Sequence, residues 1–413
     1  MIEEICQKAK AASVKIAKLS ADQKNVALYQ MANALETNVE EILAANLVDV
    51  KVAKAKNVKA PLLDRLTLDQ KKIQKMINEL REVATLTDPI GTILSSWTRP
   101  NGLIISQIRV PMGVVGVIYE SRPNVTSDAA GICVKAGNAV ILRGGSDALQ
   151  SNIVIGDVLR TALSSTDVPV DAIQVINSPE RSVAEELMTM REYIDVLVPR
   201  GGTDLIKTVI EKSKIPVIET GTGNCHMYIE ADADIEMATS LIINAKTQRP
   251  GVCNAVEKLL LHRKIAKTYI PKIVAELQNN NVQVRGDKET CQIIPTVKTA
   301  TDQDWYTEYL DLIISIKVVK DISEAIAHIN KYGTKHSETI ITSDFKKATQ
   351  FLQEIDAAAV YWNASTRFTD GNQFGLGTEI GISTQKLHAR GPMSIQNLTT
   401  TKYVILGNGQ IRN

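Results

Sequence analysis

Apolar residues recur every three or four positions from about residue 2 to residue 85. One such series runs from Val26 to Leu35 and another from Ile73 to Leu80. Residues at these spacings share one face of an α-helix, so the pattern predicts a helical segment over this range. Ser20 and Asp69 stand where two of the helices would begin, and their side chains suit the N-cap position.

Strand-like runs of β-branched and aromatic residues flank Pro100-Asn101-Gly102, which is a strong turn signal. This arrangement predicts a β-hairpin. A further run of the same kind covers residues 400–406. We expect segments 93–110 and 396–413 to form one small sheet, an oligomerisation β arm whose open edges pair with another subunit.

Short apolar runs alternate with amphipathic segments over residues 110–245 and again over residues 255–365. Such alternation is typical of βαβ units, and it predicts an α/β fold with a parallel, doubly wound sheet and a second α/β domain. The predicted strands are Val114–Tyr119, Ala139–Arg143, Ile173–Ile176, Val196–Val198, Val217–Glu219, Lys258–His262, Ile313–Val319, Thr339–Thr342 and Ala359–Trp362.

The composition is that of an ordinary globular protein of two or three domains, with 413 residues, 44% hydrophobic and 23% charged. Lys plus Arg (47) nearly balances Asp plus Glu (46), so the chain has no general electrostatic footprint for nucleic acid or for an anionic membrane. No apolar run approaches the roughly 20 residues that span a bilayer. We therefore expect neither nucleic acid nor membrane as a partner.

The five cysteines are scattered, and none belongs to a C-x-x-C pair, so the sequence indicates neither a metal site nor a disulfide framework. We expect free thiols and a cytoplasmic protein. Cys253 follows Pro250-Gly251, and a new amphipathic segment is predicted to begin at this cysteine. A thiol at a helix N-terminus is a good nucleophile because the helix dipole stabilises the thiolate. A buried structural cysteine is the alternative. Cys225 and His226 compete as a pair, but adjacent strand residues point to opposite faces.

Glycine-rich loops follow three of the predicted strands, at Arg143-Gly144-Gly145, Arg200-Gly201-Gly202 and Glu219-Thr220-Gly221. Glycine lets backbone N–H groups approach phosphate oxygens, and the N-terminus of a following helix adds partial positive charge. The two arginines suit a 2′-phosphate or a pyrophosphate. Ordinary βα turns with surface arginines are the alternative, and no G-x-G-x-x-G fingerprint occurs.

Five motifs occur together in this sequence, at residues 110–126, 135–145, 219–226, 249–254 and 387–393. In this combination they closely resemble the γ-glutamyl phosphate reductase (glutamate-5-semialdehyde dehydrogenase) family, a reductive branch of the aldehyde dehydrogenase superfamily. The resemblance covers nearly the whole chain. It implies an enzyme of proline biosynthesis that reduces L-glutamyl 5-phosphate to L-glutamate 5-semialdehyde with NADPH and releases phosphate.

The resemblance also implies roles for individual residues. Cys253 is the expected nucleophile, which forms a thioacyl enzyme. Asn124 is expected to donate to the oxyanion, and Glu219 to handle the thiol proton or to orient the site. For the NADPH site it implies Arg143, Gly144, Gly145, Arg200, Gly201, Gly202 and Glu308. For the anionic groups of the substrate the candidates are Arg122, Arg249, Arg367 and Arg390, and His388 is expected to be structural.

By the same resemblance we expect three domains. Residues 1–92, 111–248 and 370–395 would form the NADPH-binding domain, residues 249–369 the catalytic domain, and the arm would join subunits into a dimer or tetramer. A transient contact with glutamate 5-kinase is a further expectation. The alternatives are another aldehyde dehydrogenase, either CoA-acylating or hydrolytic, and an inactive relative that serves as a scaffold.

Overall fold

Two units, each with its own parallel sheet, make up the part of the chain that the computed structural model describes, residues 1–58 and 60–412. Unit 1 comprises Met1–Thr220, Gly375–Gly381 and Met393–Asn413, and unit 2 comprises Gly221–Phe374 and Ile382–Pro392. Neither unit is therefore one continuous segment. None of the helices in the described ranges has the length and apolar content that a membrane crossing requires.

Helices occupy most of the chain before residue 93, as the apolar spacing predicts. The Ser20 side chain accepts a hydrogen bond from the backbone N–H of Gln23, and Asp69 accepts one from Lys72, so both residues cap helices as expected. The helices are α1 (Ile2–Ile16), α2 (Ala21–Thr37), α3 (Val39–Ala55), α4 (Ala60–Leu66), α5 (Gln70–Thr85), α6 (Asn124–Lys135), α7 (Leu149–Leu163), α8 (Arg181–Leu187), α9 (Thr203–Lys212), α10 (Ile235–Thr247), α11 (Arg263–Asn279), α12 (Lys288–Ile293), α13 (Asp302–Tyr306), α14 (Ile322–Tyr332) and α15 (Phe345–Glu354).

Strands occur in both of the stretches where apolar runs alternate with amphipathic segments. The strands are β1 (Ile93–Thr98), β2 (Ile104–Pro111), β3 (Val114–Tyr119), β4 (Ala139–Gly144), β5 (Ile173–Val175), β6 (Val196–Arg200), β7 (Cys225–Ile229), β8 (Val256–His262), β9 (Gln283–Gly286), β10 (Lys298–Thr299), β11 (Ile313–Val319), β12 (Ser337–Ile341), β13 (Ala359–Trp362), β14 (Ile382–Ser383), β15 (Gly391–Pro392) and β16 (Thr399–Leu406).

The parallel sheet of unit 1 has the strand order β5-β4-β3-β6. Every residue of β3 and β4 is buried, and α1 and α6 pack against β4, as is usual for parallel strands covered on both faces. The strand predicted at 217–219 does not form. Only a single bridge joins Val217 to Leu197, since Pro216 has no N–H with which to extend the pairing.

The predicted hairpin and terminal strand pair as expected, in an antiparallel sheet of order β1-β2-β16. The pairing of β16 with β2 runs from Thr399 opposite Pro111 to Leu406 opposite Ile104. Several large apolar side chains of this sheet are exposed, namely Ile93, Leu94, Trp97, Ile104, Tyr403, Ile405 and Leu406. The sheet therefore presents an apolar surface that the described residues of this chain leave uncovered.

The sheet of unit 2 is also parallel, with the order β10-β9-β11-β8-β7-β12-β13. Met227 and Ile229 of β7 join a core cluster with α10 and α11, while Tyr228 joins a second cluster with α14 and α15. Because alternate strand residues face opposite ways, the two clusters lie on opposite faces of the sheet. Unit 2 therefore has helices on both faces.

The division between the units differs from the predicted domain boundary at residues 248 and 249. Strand β7 pairs with both β8 and β12, so it cannot be separated from the sheet of unit 2. Residues 382–392, which were expected in the NADPH-binding domain, also belong to unit 2. There β14 pairs with β15 and holds the 387–393 motif between them. The functions expected of these domains stay predictions.

A fully buried ion pair joins the end of α10 to the start of β8 in unit 2. The Nζ of Lys246 lies 3.0 Å from Oε2 of Glu257, and neither side chain is exposed. Burial raises the pKa of Glu257 to about 7, while the attraction of Lys246 opposes that rise. The neighbouring Lys258 is buried too, and its Nζ donates to the Thr307 carbonyl at 2.7 Å. These polar residues of β8 thus have internal partners.

We predict that Lys246→Met lowers the free energy of unfolding by about 3–5 kcal/mol, because it removes the cation that is hydrogen-bonded to the buried Glu257 carboxylate. Protonation of Glu257 relieves this penalty, so the loss should be larger at pH 8.5 than at pH 6. Urea titrations at both pH values measure it. The control is Lys8→Met, which removes an exposed pair with Glu4 and should leave the stability nearly unchanged. Equal losses in the two variants would contradict the prediction.

Candidate active site

Cys253 lies in a turn between α10 and β8, with its side chain partly buried. Its expected position at a helix N-terminus is wrong, because the next element, beginning at Val256, is a buried strand of the central sheet. The amphipathic segment predicted to begin at Cys253 is not a helix, and Glu257 and Lys258 both have partners inside the protein. No following helix dipole therefore acts on the Cys253 thiol.

Three backbone segments of unit 2 meet at the Cys253 turn. The Sγ of Cys225 donates to the Cys253 carbonyl at 3.1 Å. A Cβ at Gly223 would overlap that same carbonyl oxygen, so only glycine allows the approach. The backbone N–H of Gly223 in turn donates to Oε1 of Glu308 at 2.7 Å. Cys253 and Glu308 thus both contact the loop that contains Gly223.

Of the candidate substrate arginines, Arg249 and Arg367 stand near this thiol. The Nε of Arg367 donates to Oε1 of Gln248 at 3.0 Å, and its Nη1 donates to Oδ1 of Asn254. Burial lowers the pKa of Arg367, the charge of Arg249 lowers it further, and the Cys253 thiolate opposes the change. Arg367 is therefore within electrostatic range of both Arg249 and the Cys253 sulfur.

Arg390 has different surroundings, in the loop between β14 and β15. Its Nη2 donates to Oδ1 of Asp356 at 2.7 Å, and Lys335 and Lys386 approach the same carboxylate at 3.1 Å each. The Arg390 side chain, which donates most strongly, and the two lysines hold the pKa of Asp356 well below its usual range. His388 in the same loop is exposed. This cluster fixes the loop by ion pairs.

In unit 1, Asn124 is the first residue of α6, and its Nδ2 donates to Oδ2 of Asp128 at 2.7 Å. Arg122 precedes it in the turn after β3, where its carbonyl accepts a hydrogen bond from the N–H of Val125 at 3.0 Å. Glu219 is partly buried and lies beside Thr220, whose hydroxyl donates to the Pro199 carbonyl at 2.7 Å. The position of Glu219 next to β6 is thus fixed by its neighbour.

Two of the predicted glycine loops follow β4 and β6, whose ends lie at one edge of the sheet of unit 1, whereas the strand predicted before the loop at Glu219 does not form. Tyr119 at the end of β3 is in register with Gly144 of β4 and with Arg200 of β6, so all three strands end in one row. Gly145 follows β4 directly and is buried. The loop after β6 is exposed at Gly201 and Gly202, and the N–H of Gly202 donates to Oε2 of Glu120 at 2.9 Å.

Both loop arginines fit an anionic ligand. Arg143 is only 8% exposed, and its Nη2 donates to the carbonyls of Pro179 and Glu180 at 3.3 and 3.0 Å. Its Nε, like the Nε of Arg200, is buried and has no hydrogen-bond partner among the described residues. Burial lowers the pKa of Arg143, and the charge of Arg181 adds to this effect. Unsatisfied buried donors at strand ends are a signal for a bound anion such as a phosphate.

The sequence analysis missed two contacts of these candidate residues. Gly223 received no role, and its requirement for glycine depends on Cys253, which lies 30 positions further along the chain. Asp128 was missed although it stands four residues after Asn124, the spacing at which helical side chains meet. Among the described residues, no group of three or more His, Cys, Asp or Glu side chains could hold a metal ion.

Comparisons with known proteins agree with this architecture. The model of the aldehyde dehydrogenase family matches residues 1–312 and 286–404. The gamma-glutamyl phosphate reductase of Dictyoglomus turgidum is 56% identical over 412 residues, which cover 100% of this chain and 99% of that protein. The enzyme of that name from Carboxydothermus hydrogenoformans is 57% identical over 408 residues, or 99% of this chain and 98% of its own.

Solved structures give the same picture of the fold. The crystal structure of gamma-glutamyl phosphate reductase from Thermotoga maritima matches with a TM-score of 0.97 and 50% identity over 100% of both chains. An acetylating aldehyde dehydrogenase from Geobacillus thermoglucosidasius, 20% identical, matches with a TM-score of 0.70 over 100% of this chain and 97% of its own. The predicted aldehyde-dehydrogenase-like α/β fold is confirmed.

We predict that iodoacetamide at pH 8 alkylates Cys253 and Cys291, which are partly exposed, and leaves the buried Cys6, Cys133 and Cys225 unmodified. Burial raises the pKa of all three buried thiols, to about 11 for Cys6, so little reactive thiolate forms there. Peptide mass spectrometry of the native protein measures the sites. Cys253→Ser should remove one label and leave that on Cys291, and labelling of Cys225 before Cys253 would contradict the assignment.

Proposed function

Since this chain belongs to the aldehyde dehydrogenase family, we propose that it reduces L-glutamyl 5-phosphate to L-glutamate 5-semialdehyde with NADPH and releases phosphate, as a step of proline biosynthesis. One observation carries the proposal. A partly exposed thiol, Cys253, lies in a turn where the Arg367 guanidinium is hydrogen-bonded to the adjacent Asn254, in a chain that is 56% identical over its full length to a gamma-glutamyl phosphate reductase.

The Cys253 thiolate is the nucleophile in this proposal. Its sulfur attacks the acyl carbon, the bond from that carbon to the phosphate oxygen breaks, and a thioester remains on the enzyme. The thioester keeps the acyl carbon electrophilic after the phosphate has left, whereas a carboxylate would not accept a hydride. NADPH, when bound, supplies the hydride. The C–S bond of Cys253 then breaks and frees the aldehyde.

The leaving group is a phosphate, and Arg249 and Arg367 are the residues we assign to it. Guanidinium groups bind phosphate oxygens through paired, charge-assisted hydrogen bonds. The hydrogen bonds of Arg367 to Gln248 and Asn254 orient its guanidinium beside the Cys253 turn. Arg122 and Arg390 are then left for the α-carboxylate of the substrate, although Arg390 already shares Asp356 with two lysines.

Asn124, Glu219 and Glu308 complete the proposed site. We assign to the Asn124 carboxamide the donation of a hydrogen bond to the oxygen that becomes negative during thiolate attack. Glu219 receives the thiol proton or orients the site, since an activated water would waste the acyl phosphate by hydrolysis. Glu308 is assigned to the nicotinamide ribose, and its bond to Gly223 supports this by placing it beside the Cys253 turn.

The nicotinamide cofactor is proposed to be NADPH, held at the strand ends of unit 1. Arg143, Gly144 and Gly145 would bind the adenosine ribose with its 2′-phosphate, because a permanently charged guanidinium with an unsatisfied Nε suits that dianion. Arg200, Gly201 and Gly202 would bind the same cofactor. The glycines offer backbone N–H groups, and the N-terminus of α9 follows Gly202 directly.

We propose that the protein is a cytoplasmic homo-oligomer, dimer or tetramer, which assembles through the sheet of β1, β2 and β16. Its exposed Trp97, Tyr403 and Ile405 and the unpaired edge of β1 support this assignment. A transient contact with glutamate 5-kinase is proposed because the acyl phosphate is labile in water. The alternative activity is that of a CoA-acylating or hydrolytic aldehyde dehydrogenase.

We predict that Cys253→Ala abolishes the reduction of NADP⁺ that depends on both the semialdehyde and phosphate, while Cys291→Ala retains it. Loss of the nucleophile removes the covalent path, and Cys291 carries no part of it. A steady-state absorbance assay with phosphate, CoA or neither measures this. Substrate should also protect Cys253, and not Cys291, from iodoacetamide. Turnover that needs CoA, or full activity in Cys253→Ala, would contradict the proposal.

We predict that Arg143→Ala lowers the preference for NADPH over NADH, expressed as the ratio of kcat/KM, by about 10- to 100-fold, the effect of one lost hydrogen bond to a charged group. Arg263→Ala, which removes an exposed pair with Glu289 in unit 2, is the matched control and should leave the ratio unchanged. An equal ratio in wild type and Arg143→Ala would contradict the assignment.

A further inference from the structure

The side chain of Asn124 is held by a carboxyl group one helical turn away. Its Nδ2 donates to Oδ2 of Asp128 at 2.7 Å, within α6. The hydroxyl of Ser127 donates to the Asn124 carbonyl at 2.9 Å and lies 3.3 Å from Oδ1 of Asp128. These hydrogen bonds link the first turn of α6 to the side chains of Ser127 and Asp128.

The hydrogen bond to Asp128 fixes the orientation of the Asn124 side-chain amide. The nitrogen and oxygen ends of a carboxamide have the same shape and opposite polarity, and a carboxyl oxygen that accepts can pair only with the nitrogen end. One Nδ2 hydrogen is used by Asp128, and the second remains for another acceptor. Without Asp128 the amide could turn by half a rotation and present its oxygen instead.

Asp128 itself faces α5. Its carboxyl group forms a hydrogen bond with that of Glu79, and Lys75, 3.4 Å from Glu79, is the cation that acts on it from the same helix. Burial raises the pKa of Asp128 to about 8, and the charge of Glu79 contributes to the rise. At neutral pH the Asp128 carboxyl is therefore mostly protonated, and its proton lies in the hydrogen bond to Glu79. An uncharged Asp128 can accept from Asn124 without placing a negative charge near a developing oxyanion.

We propose that Asp128 is a positioning residue, which holds the Asn124 carboxamide so that an N–H faces the carbonyl oxygen of the bound acyl group. This inference rests on the proposed function, in which Asn124 donates to that oxygen. Asp128 does not touch the substrate and acts only through Asn124. Asparagine at residue 128 would keep a neutral acceptor toward Asn124 and offer an N–H to Glu79.

A double-mutant cycle tests the proposal. Asn124→Ala should lower kcat by about 10²- to 10³-fold, and Asp128→Ala by about 10- to 100-fold, each with a much smaller change in KM. Asp128→Ala should add nothing in the Asn124→Ala background, since the group through which it acts is gone. Asp128→Asn should retain kcat to within about threefold, because it keeps the acceptor.

The outcomes separate the two hypotheses. If Asp128→Ala lowers kcat as much in the Asn124→Ala background as in wild type, or if Asp128→Asn is as impaired as Asp128→Ala, the positioning role is overturned and that of Asn124 stands. If Asn124→Ala leaves kcat unchanged, its proposed role falls, and this inference with it. Thermal unfolding verifies that each variant is folded. Asp128→Ser, which is too short to reach Asn124, replaces Asp128→Ala if the alanine variant does not fold.

Discussion

The approach of Gly223 to the Cys253 carbonyl is the constraint on which the candidate site in unit 2 depends. The absence of a Cβ at residue 223 lets the loop before β7 lie against the turn before β8. The Cys225 thiol and the Glu308 carboxylate then join these segments through Cys253 O and Gly223 N. The environment of the Cys253 turn is thus set by loop-to-loop hydrogen bonds, and not by a following helix.

The sequence predicts the fold well where a strand is an uninterrupted apolar run, as in β3 and in residues 139–142 of β4. It fails where polar residues enter the core with partners that are distant along the chain. In β7, His226 is fully buried, its Nδ1 lies 3.4 Å from Oε2 of Glu338, and its backbone N–H donates to the same oxygen. In β9, Arg285 pairs with Asp304. Such residues read as surface positions in a local pattern, because the pattern contains no information on the partner.

The same reasoning explains which parts of the site the sequence predicts. The loops at Arg143 and Arg200 follow apolar strands, so their meeting at one sheet edge follows from parallel topology alone. The setting of Cys253 could not be predicted, since the partners of Glu257 and Lys258, which are Lys246 and the Thr307 carbonyl, are not evident from the local sequence. The contact of Asp128 with Asn124 could be predicted, because the two residues are four positions apart in one helix. The contact of Asp128 with Glu79 could not, because Glu79 lies in a different helix.

The buried Lys246–Glu257 pair spans the short segment that contains Cys253. Lys246 and Glu257 cannot separate without leaving an isolated charge in the core, so the pair fixes the two ends of the segment between them. This restricts redesign of the enzyme for larger acyl groups, because insertions between Lys246 and Glu257 cannot move these two residues apart. Inserted residues would have to form a bulge directed away from the ion pair. Room for a bulkier substrate has to come from smaller side chains around the thiol.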